Sequence, residues 1–140
     1  LTPNAFDVVV APDLEADMLS DQLAVLIHGT RAVTPSANSR DNSFATYQTI
    51  HGTAKGLANK DIANPAGMIL AAAMMLELSF EMTFEAERLR CAVGKALENA
   101  LQTGVGGRNS DLILRNIGTA RFTELVLDAL TAYETSQLAA

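Results

Sequence analysis

Several residue types are scarce in this 140-residue chain, and their scarcity excludes some classes of protein. A single cysteine, Cys91, rules out an internal disulfide and favours a reducing compartment. Ten basic residues against 16 acidic ones give a net charge of −6, which argues against nucleic acid or an anionic membrane as partner. The apolar run Ala66–Leu76 is shorter than the roughly 20 residues that span a bilayer. We therefore expect a cytoplasmic protein without a membrane or nucleic-acid partner.

We expect no signal peptide at the start of the chain. Residues 1–16 lack a basic beginning and include three acidic side chains, unlike a signal peptide. The length suits one domain with a modest core. Because the first residue is Leu1 rather than Met, we expect residues 1–140 to be either a single domain or a fragment of a larger chain.

The stretch from Tyr47 to Glu77 organises the rest of the chain. It predicts a short strand over Tyr47–Ile50, then a polar loop, then a helix. Asn64 suits the N-cap of that helix, and Pro65 suits its first position. Because no polar side chain interrupts Ala66–Leu76, we expect this helix to be buried on all sides. Its N-terminal end would offer free N–H groups to a polar or anionic ligand.

Elsewhere the pattern predicts an α/β chain, mostly helical, with two or three short strands. Before the central stretch we predict a buried strand over residues 5–11, a helix over 18–27, a short strand over 32–35 and a loop over 36–43. After it we predict a helix from Thr83 to Gly104, an irregular run over 104–117 and a helix over 119–133. So small a sheet is poorly covered in isolation, which points to missing chain or a partner.

Three of these helices carry apolar residues at helical spacing, which indicates the core. The stripe on the helix over 18–27 is Leu19, Leu23, Leu26 and Ile27. The stripes on the two later helices are Leu89, Val93, Ala96, Leu97, Ala100 and Leu101, and Phe122, Leu125, Val126, Ala129, Leu130 and Tyr133.

Three blocks in the chain resemble the β-decarboxylating dehydrogenases, a family that includes isopropylmalate, isocitrate and tartrate/D-malate dehydrogenases. The blocks are H-G-T-A, I-A-N-P and A-A-A-M-M-L within residues 51–76; F-D-V-V-V and D-M-L-S-D within residues 6–21; and P-S-A-N at residues 35–38. They cover most of residues 6–107 in the family's order, and isopropylmalate dehydrogenase is the nearest member. The resemblance implies the C-terminal part of that family's fold.

Asp17 and Asp21 are the candidate metal ligands. On a helix, residues four apart share a face, and a hard cation such as Mg²⁺ or Mn²⁺ prefers their oxygen ligands. On spacing alone, a solvated acidic face or charges favouring the helix dipole explain the pair better than a metal site does. The resemblance implies a metal site whose other carboxylate, together with a catalytic lysine and tyrosine, comes from outside this chain.

The polar loop is the candidate cofactor site. The resemblance implies that the adenosine half of NAD or NADP is held by His51, Gly52, Thr53, Ala54, Ala63 and Asn64. Asn64 would read the adenine edge through its amide, which has both a donor and an acceptor. From the residues alone, the better interpretation makes Asn64 only a helix cap and His51 a histidine at a strand end.

Some positions depart from the family pattern. Gly56 stands where the family has an aspartate or a lysine to choose between NAD and NADP, and Lys55 replaces a proline. We therefore expect little discrimination between the two cofactors. Further departures are Ala16, Arg31, Gln48 and an inserted run over 107–119.

The resemblance implies part of a metal- and NAD(P)-dependent oxidative decarboxylase that acts on a small 2-hydroxy acid and forms a homodimer. We expect this chain alone to be inactive, because the proton-transfer residues are missing. One alternative is a non-catalytic nucleotide-binding or regulatory relative, which the departures favour. Another is a packing module whose motif residues are inert.

Overall fold

A computed structural model of the chain describes residues 7–28, 34–40, 44–102 and 110–138. In chain order they form helix α1 (Asp13–His28), strands β1 (Pro35–Arg40) and β2 (Phe44–Thr49), and helices α2 (Ala66–Phe80), α3 (Thr83–Gln102) and α4 (Ser110–Leu138). A 3₁₀ turn, Lys55–Leu57, lies between β2 and α2. This arrangement confirms the prediction of a mostly helical α/β chain with few, short strands.

The two strands form an antiparallel hairpin that packs against α2. Ala37 of β1 lies opposite Tyr47 of β2. Along β2, exposed and half-buried residues alternate, as expected when one face of a sheet is covered. The Tyr47 hydroxyl and the Ser79 hydroxyl share a hydrogen bond of 2.6 Å, which joins β2 to α2. The hairpin therefore holds the start of the polar loop close to α2.

The core lies where α2, α3 and α4 pack in series. Its largest fully buried side chains are Phe122 and Val93. The buried cluster is Ala66, Ala92, Val93, Ala96, Phe122 and Val126, with Ile69, Leu70, Leu89, Leu97, Ile117, Leu125, Ala129 and Leu130 packed around it. The two later predicted stripes contribute to this cluster, although the Leu101 side chain lies outside the described part of the chain. The predicted core stripe on the first helix is wrong for Leu19 and Leu26, which are 40% and 63% exposed.

Polar and aromatic contacts also join the helices. Arg90 of α3 forms an ion pair with Glu77 of α2. The Arg88 guanidinium lies 5.7 Å from the Phe84 ring centre and 5.3 Å from that of Tyr133 on α4. Such contacts between a cation and aromatic rings contribute about 0.5–1 kcal/mol at exposed sites. They fix α3 relative to both of its neighbours.

The strand predictions need correction in two places. Residues 7–11 form no strand, and Val8 and Val10 are 79% and 93% exposed, because no neighbouring strand pairs with them in the described residues. Residues 36–40 of the predicted loop over 36–43 instead belong to strand β1, since pairing with β2 overrides their polar composition, and residues 41–43 lie outside the described residues. Of the predicted strand over 32–35, only Pro35 lies in β1 among the described residues; Thr34 is not in a strand, and residues 32–33 lie outside the described residues.

The helix predictions were right in type but differ in extent. Helix α1 begins at Asp13, earlier than predicted. Helix α2 is not buried on all sides, because its Met68 side chain is 54% exposed. Residues 110–117, predicted to be irregular, are helical and belong to α4. The predicted stop at Gly104 lies outside the described residues.

Helix α1 exposes an unusual number of apolar side chains. The exposed ones are Leu14, Met18, Leu19, Val25 and Leu26, each between 40% and 69% exposed. An exposed apolar surface of this kind normally lies against another surface. The expected self-association of the chain stays a prediction. Within the described residues, no helix is both long and apolar enough to cross a membrane.

Candidate functional site

The candidate cofactor loop runs from His51 to Asn64, between the end of β2 and the start of α2. Ala54 adopts a left-handed conformation with φ of 47°, which turns the chain into the 3₁₀ turn. The Leu57 N–H then donates to the Ala54 carbonyl at 2.8 Å. A left-handed backbone is uncommon for residues other than glycine and is often found at functional sites. The loop therefore has a defined shape despite its exposure.

Asn64 caps helix α2, as predicted. Its side-chain oxygen accepts a hydrogen bond from the Ala66 N–H at 2.9 Å. Pro65, next to it, has helical torsion angles of −84° and −5°, and the helix begins at Ala66, one residue later than predicted. The other side-chain atom, Asn64 Nδ2, is covered from solvent and has no hydrogen-bond partner among the described residues. A covered donor without a partner costs about 1–3 kcal/mol, so a ligand acceptor reaching it is favoured.

The remaining predicted adenosine-binding residues lie along the same loop. His51 is half-buried at its beginning, and its Nδ1 lies 2.9 Å from the Gly52 carbonyl oxygen. Thr53 and Ala54 are exposed, as is Ala63 at the far end. One loop thus connects both halves of the predicted set and ends at the N-terminus of α2.

The positions expected to choose between cofactors are open to solvent. Lys55 and Gly56 are both exposed within the 3₁₀ turn. A Cβ atom built on Gly56 meets nothing within 4 Å, so this turn accepts a side chain without a clash. The described residues around Gly56 therefore leave room for a side chain at this position.

The two candidate metal ligands lie within α1. Because the helix spans Asp13–His28, Asp17 and Asp21 are one turn apart on the same face. Asp17 is exposed and Asp21 is half-buried. Across the described residues, no three side chains of His, Cys, Asp or Glu are grouped so that they could hold a metal ion. The pair thus offers the oxygen donors that a hard cation prefers, but only part of a coordination shell.

Sequence reasoning missed Asp61, which joins the loop to α4. Its side-chain Oδ1 accepts a hydrogen bond from the Ala120 N–H at 2.9 Å. These residues are 59 apart in sequence, so no local pattern signals the contact. The predicted helix over 119–133 begins where the helical segment after Gly118 begins, but nothing in the sequence indicated that Asp61 contacts its first turn.

Comparison with known proteins identifies the family. Residues 1–126 match the isocitrate/isopropylmalate dehydrogenase family. The chain is 46% identical over 102 residues to a 3-isopropylmalate dehydrogenase of Helicobacter hepaticus, covering 73% of this chain and 28% of that protein. It is 38% identical over 128 residues to a 3-isopropylmalate dehydrogenase of Clostridium acetobutylicum, covering 91% and 35%. The crystal structure of isocitrate dehydrogenase from Methylococcus capsulatus superposes with a TM-score of 0.72 at 33% identity, covering 93% of this chain and 36% of that one.

The chain therefore belongs to the isocitrate/isopropylmalate dehydrogenase family, as its sequence motifs indicated. Its fold is a part of that family's fold. The chain spans about a third of the length of the relatives it matches.

Proposed function

We propose that this chain corresponds to the C-terminal portion of a metal- and NAD(P)-dependent oxidative decarboxylase of a small 2-hydroxy acid, of the isopropylmalate or isocitrate type. In that enzyme it supplies the adenosine-binding loop and two carboxylates of the metal site. The observation that carries the proposal is Asn64. Its side-chain oxygen accepts a hydrogen bond from the Ala66 N–H of helix α2. Its amide nitrogen, at the end of the loop that matches the family motif, is covered from solvent and has no hydrogen-bond partner among the described residues.

The nucleotide is bound by the loop over residues 51–64. Asn64 Nδ2 donates to an acceptor nitrogen of the adenine ring, and backbone groups of Gly52, Thr53 and Ala54 contact the adenosine. The exposed Ala63 lies directly before Asn64 and forms the other side of the contact. Recognition of adenine through one fixed amide is selective, because a buried donor left unpaired disfavours a base with no acceptor there.

The metal is Mg²⁺ or Mn²⁺, held in part by Asp17 and Asp21. Two carboxylates on one helical face fit a hard divalent cation, since each offers an oxygen ligand without a change of backbone. When bound, NAD or NADP would supply a hydride acceptor for the substrate's hydroxyl-bearing carbon, and the cation would supply positive charge to stabilise the substrate oxygens during loss of CO₂. The remaining ligands and the proton-transfer groups come from outside this chain, so the chain alone is inactive.

Self-association belongs to the same proposal. The apolar face of α1 carries side chains that are 40–69% exposed, and such a face is stable in water only at a cost. We assign it to packing within a homodimer or against the remainder of the enzyme.

A second candidate function is a nucleotide-binding relative without catalysis. It is favoured by Gly56, which offers the cofactor ribose no side chain. By contrast with the enzyme, such a protein binds the nucleotide without any dependence on a divalent cation and need not retain the acidic pair of α1.

Isothermal titration of the chain with NAD and with NADP, each with and without Mn²⁺, tests these proposals. Binding of both cofactors supports nucleotide recognition, and stronger binding with Mn²⁺ favours the enzyme over the non-catalytic relative. Absence of binding by a chain that circular dichroism shows to be helical contradicts both.

A further inference from the structure

Hydrogen bonds join the loop that carries Asn64 to helix α4. The Asp61 side chain accepts a hydrogen bond from the Ala120 N–H at 2.9 Å, and its backbone carbonyl accepts one from the Thr119 N–H at 3.1 Å. The Thr119 hydroxyl donates to the Ala63 carbonyl at 2.6 Å. Three hydrogen bonds thus join the last residues before Asn64 to one turn of α4. We call this set of contacts the loop–α4 clamp.

Helix α4 makes the clamp possible because it is interrupted at Gly118. This glycine has φ of 74° and ψ of 160°, which lies outside helical geometry. The segment after it therefore begins with backbone N–H groups that have no partner in the preceding turn. Asp61 satisfies two of them from a distant part of the chain, and its carboxylate suits the positive end of the helix dipole. A Cβ atom on Gly118 would overlap the Asp61 carboxylate, so the close approach requires glycine.

At the loop end of these hydrogen bonds, the clamp determines the backbone conformation of the loop. Asp61 and Asn59 have φ of 52° and 59°, in the left-handed region that residues other than glycine seldom occupy. Such conformations persist where surrounding contacts determine them. The hydrogen bonds of the clamp act directly on Asp61 and Ala63, and Asn64 follows next in the chain. A shift of the clamp is therefore transmitted to the amide that we propose reads adenine.

We propose that Asp61 and Thr119 are positioning residues for the nucleotide, and that they set the affinity for the adenine end by holding the loop against α4. This inference rests on the proposed nucleotide-binding function of the loop. Neither side chain needs to touch the nucleotide, because both act through the position of Ala63 and Asn64. A residue on α4, far from the motif in sequence, thereby becomes part of the recognition of the ligand.

The test uses substitutions that remove one hydrogen bond at a time. Thr119→Val removes the hydroxyl donor and keeps the backbone N–H, whereas Thr119→Ser retains the hydroxyl. Asp61→Ala removes the side-chain acceptor and is a second, independent probe of the clamp. Arg121→Gln is the matched control, because Arg121 lies in the same turn and pairs with Glu124 of the same helix at 2.8 Å. Each variant is made in the full chain and compared by thermal unfolding.

Two readouts are measured on every variant. The first is the dissociation constant for AMP by isothermal titration. The second is the exchange rate of the Leu57, Ala58 and Lys60 amides by NMR, since these N–H groups form the loop's own hydrogen bonds. We expect Thr119→Val and Asp61→Ala to weaken AMP binding about threefold to tenfold, the worth of one hydrogen bond, and to speed loop exchange. Thr119→Ser and Arg121→Gln keep both values near those of the unsubstituted chain.

The two readouts distinguish failure of this inference from failure of the proposed function. If the unsubstituted chain binds AMP and Thr119→Val and Asp61→Ala bind it equally well, the positioning role is overturned. If the unsubstituted chain does not bind AMP, the proposed function fails. In that case, unchanged amide exchange rates of the loop in Thr119→Val and Asp61→Ala show that the clamp does not hold the loop either. Faster amide exchange in these variants shows that the clamp does hold the loop.

Discussion

The side-chain oxygen of Asn64 accepts a hydrogen bond from the Ala66 N–H at 2.9 Å, so the oxygen and the nitrogen of this amide have different roles. The oxygen stabilises the start of α2, and the nitrogen is covered from solvent and has no hydrogen-bond partner among the described residues. The assignment of oxygen and nitrogen follows from the contact itself, because only the oxygen can accept from a backbone N–H.

The two roles of Asn64 are separable by substitution. Asn64→Asp keeps an oxygen for the helix cap and removes the donor, so we expect unchanged thermal stability and AMP binding weakened by about tenfold. Asn64→Ala removes both, and we expect it also to lower the free energy of unfolding by about 1 kcal/mol. Asn99→Ala, an exposed asparagine of α3, is the control. Equal AMP affinity in Asn64→Asp and the unsubstituted chain would show that the donor does not contact the nucleotide.

Gly56→Asp should create a preference for NAD. A carboxylate beside the ribose accepts its 2′-hydroxyl and repels a 2′-phosphate. Gly56 has open space around the position of a Cβ atom, so the new side chain should not disturb the turn. We expect the unsubstituted chain to bind both cofactors within about tenfold, and the variant to favour NAD by about tenfold or more. Gly56→Ala is the control, and an unchanged ratio in Gly56→Asp would place the ribose elsewhere.

The acidic pair of α1 should bind Mn²⁺ weakly and together. With only two carboxylates, we expect a dissociation constant of about 1 mM, measured by electron paramagnetic resonance. Asp17→Asn and Asp21→Asn should each abolish this binding. Glu15→Gln removes the same charge from the first turn of the same helix and should leave it intact. Equal losses in all three variants would instead indicate non-specific attraction to an acidic helix.

Phe122 should be the residue on which the stability of the helical core depends most. It is fully buried on α4, among residues from α2 and α3. We expect Phe122→Ala to lower the free energy of unfolding by about 3–5 kcal/mol in urea denaturation. Leu127→Ala, on the same helix but 57% exposed, should change it by less than about 0.5 kcal/mol. Comparable losses for the two would contradict the packing described here.

Features that depend on neighbouring residues were predictable from the sequence. The Asn64 cap follows from the residue type and the adjacent proline, and the burial of Phe122 and Val126 follows from helical spacing. The fold and family were predictable as well, because the motifs of residues 51–76 are ordered and specific.

Features that depend on distant contacts were not predictable. Residues 7–11 have a strand's composition, but a strand also needs a pairing partner, and here Val8 and Val10 are exposed. Strand β1 has the composition of a loop and forms through pairing with β2. Likewise, the contact of Asp61 with Ala120 spans 59 residues and leaves no local trace in the sequence.

An NMR titration of the ¹⁵N-labelled chain with AMP tests nucleotide binding most directly, because it locates the ligand residue by residue. We predict that the amide signals of Gly52, Thr53, Ala54 and Asn64 shift with AMP concentration, together with the side-chain NH₂ signal of Asn64. Signals of the exposed residues of α3 should stay in place. Shifts confined to α3, or none while the spectrum remains that of a folded chain, would contradict the assignment of this loop as the adenosine-binding site.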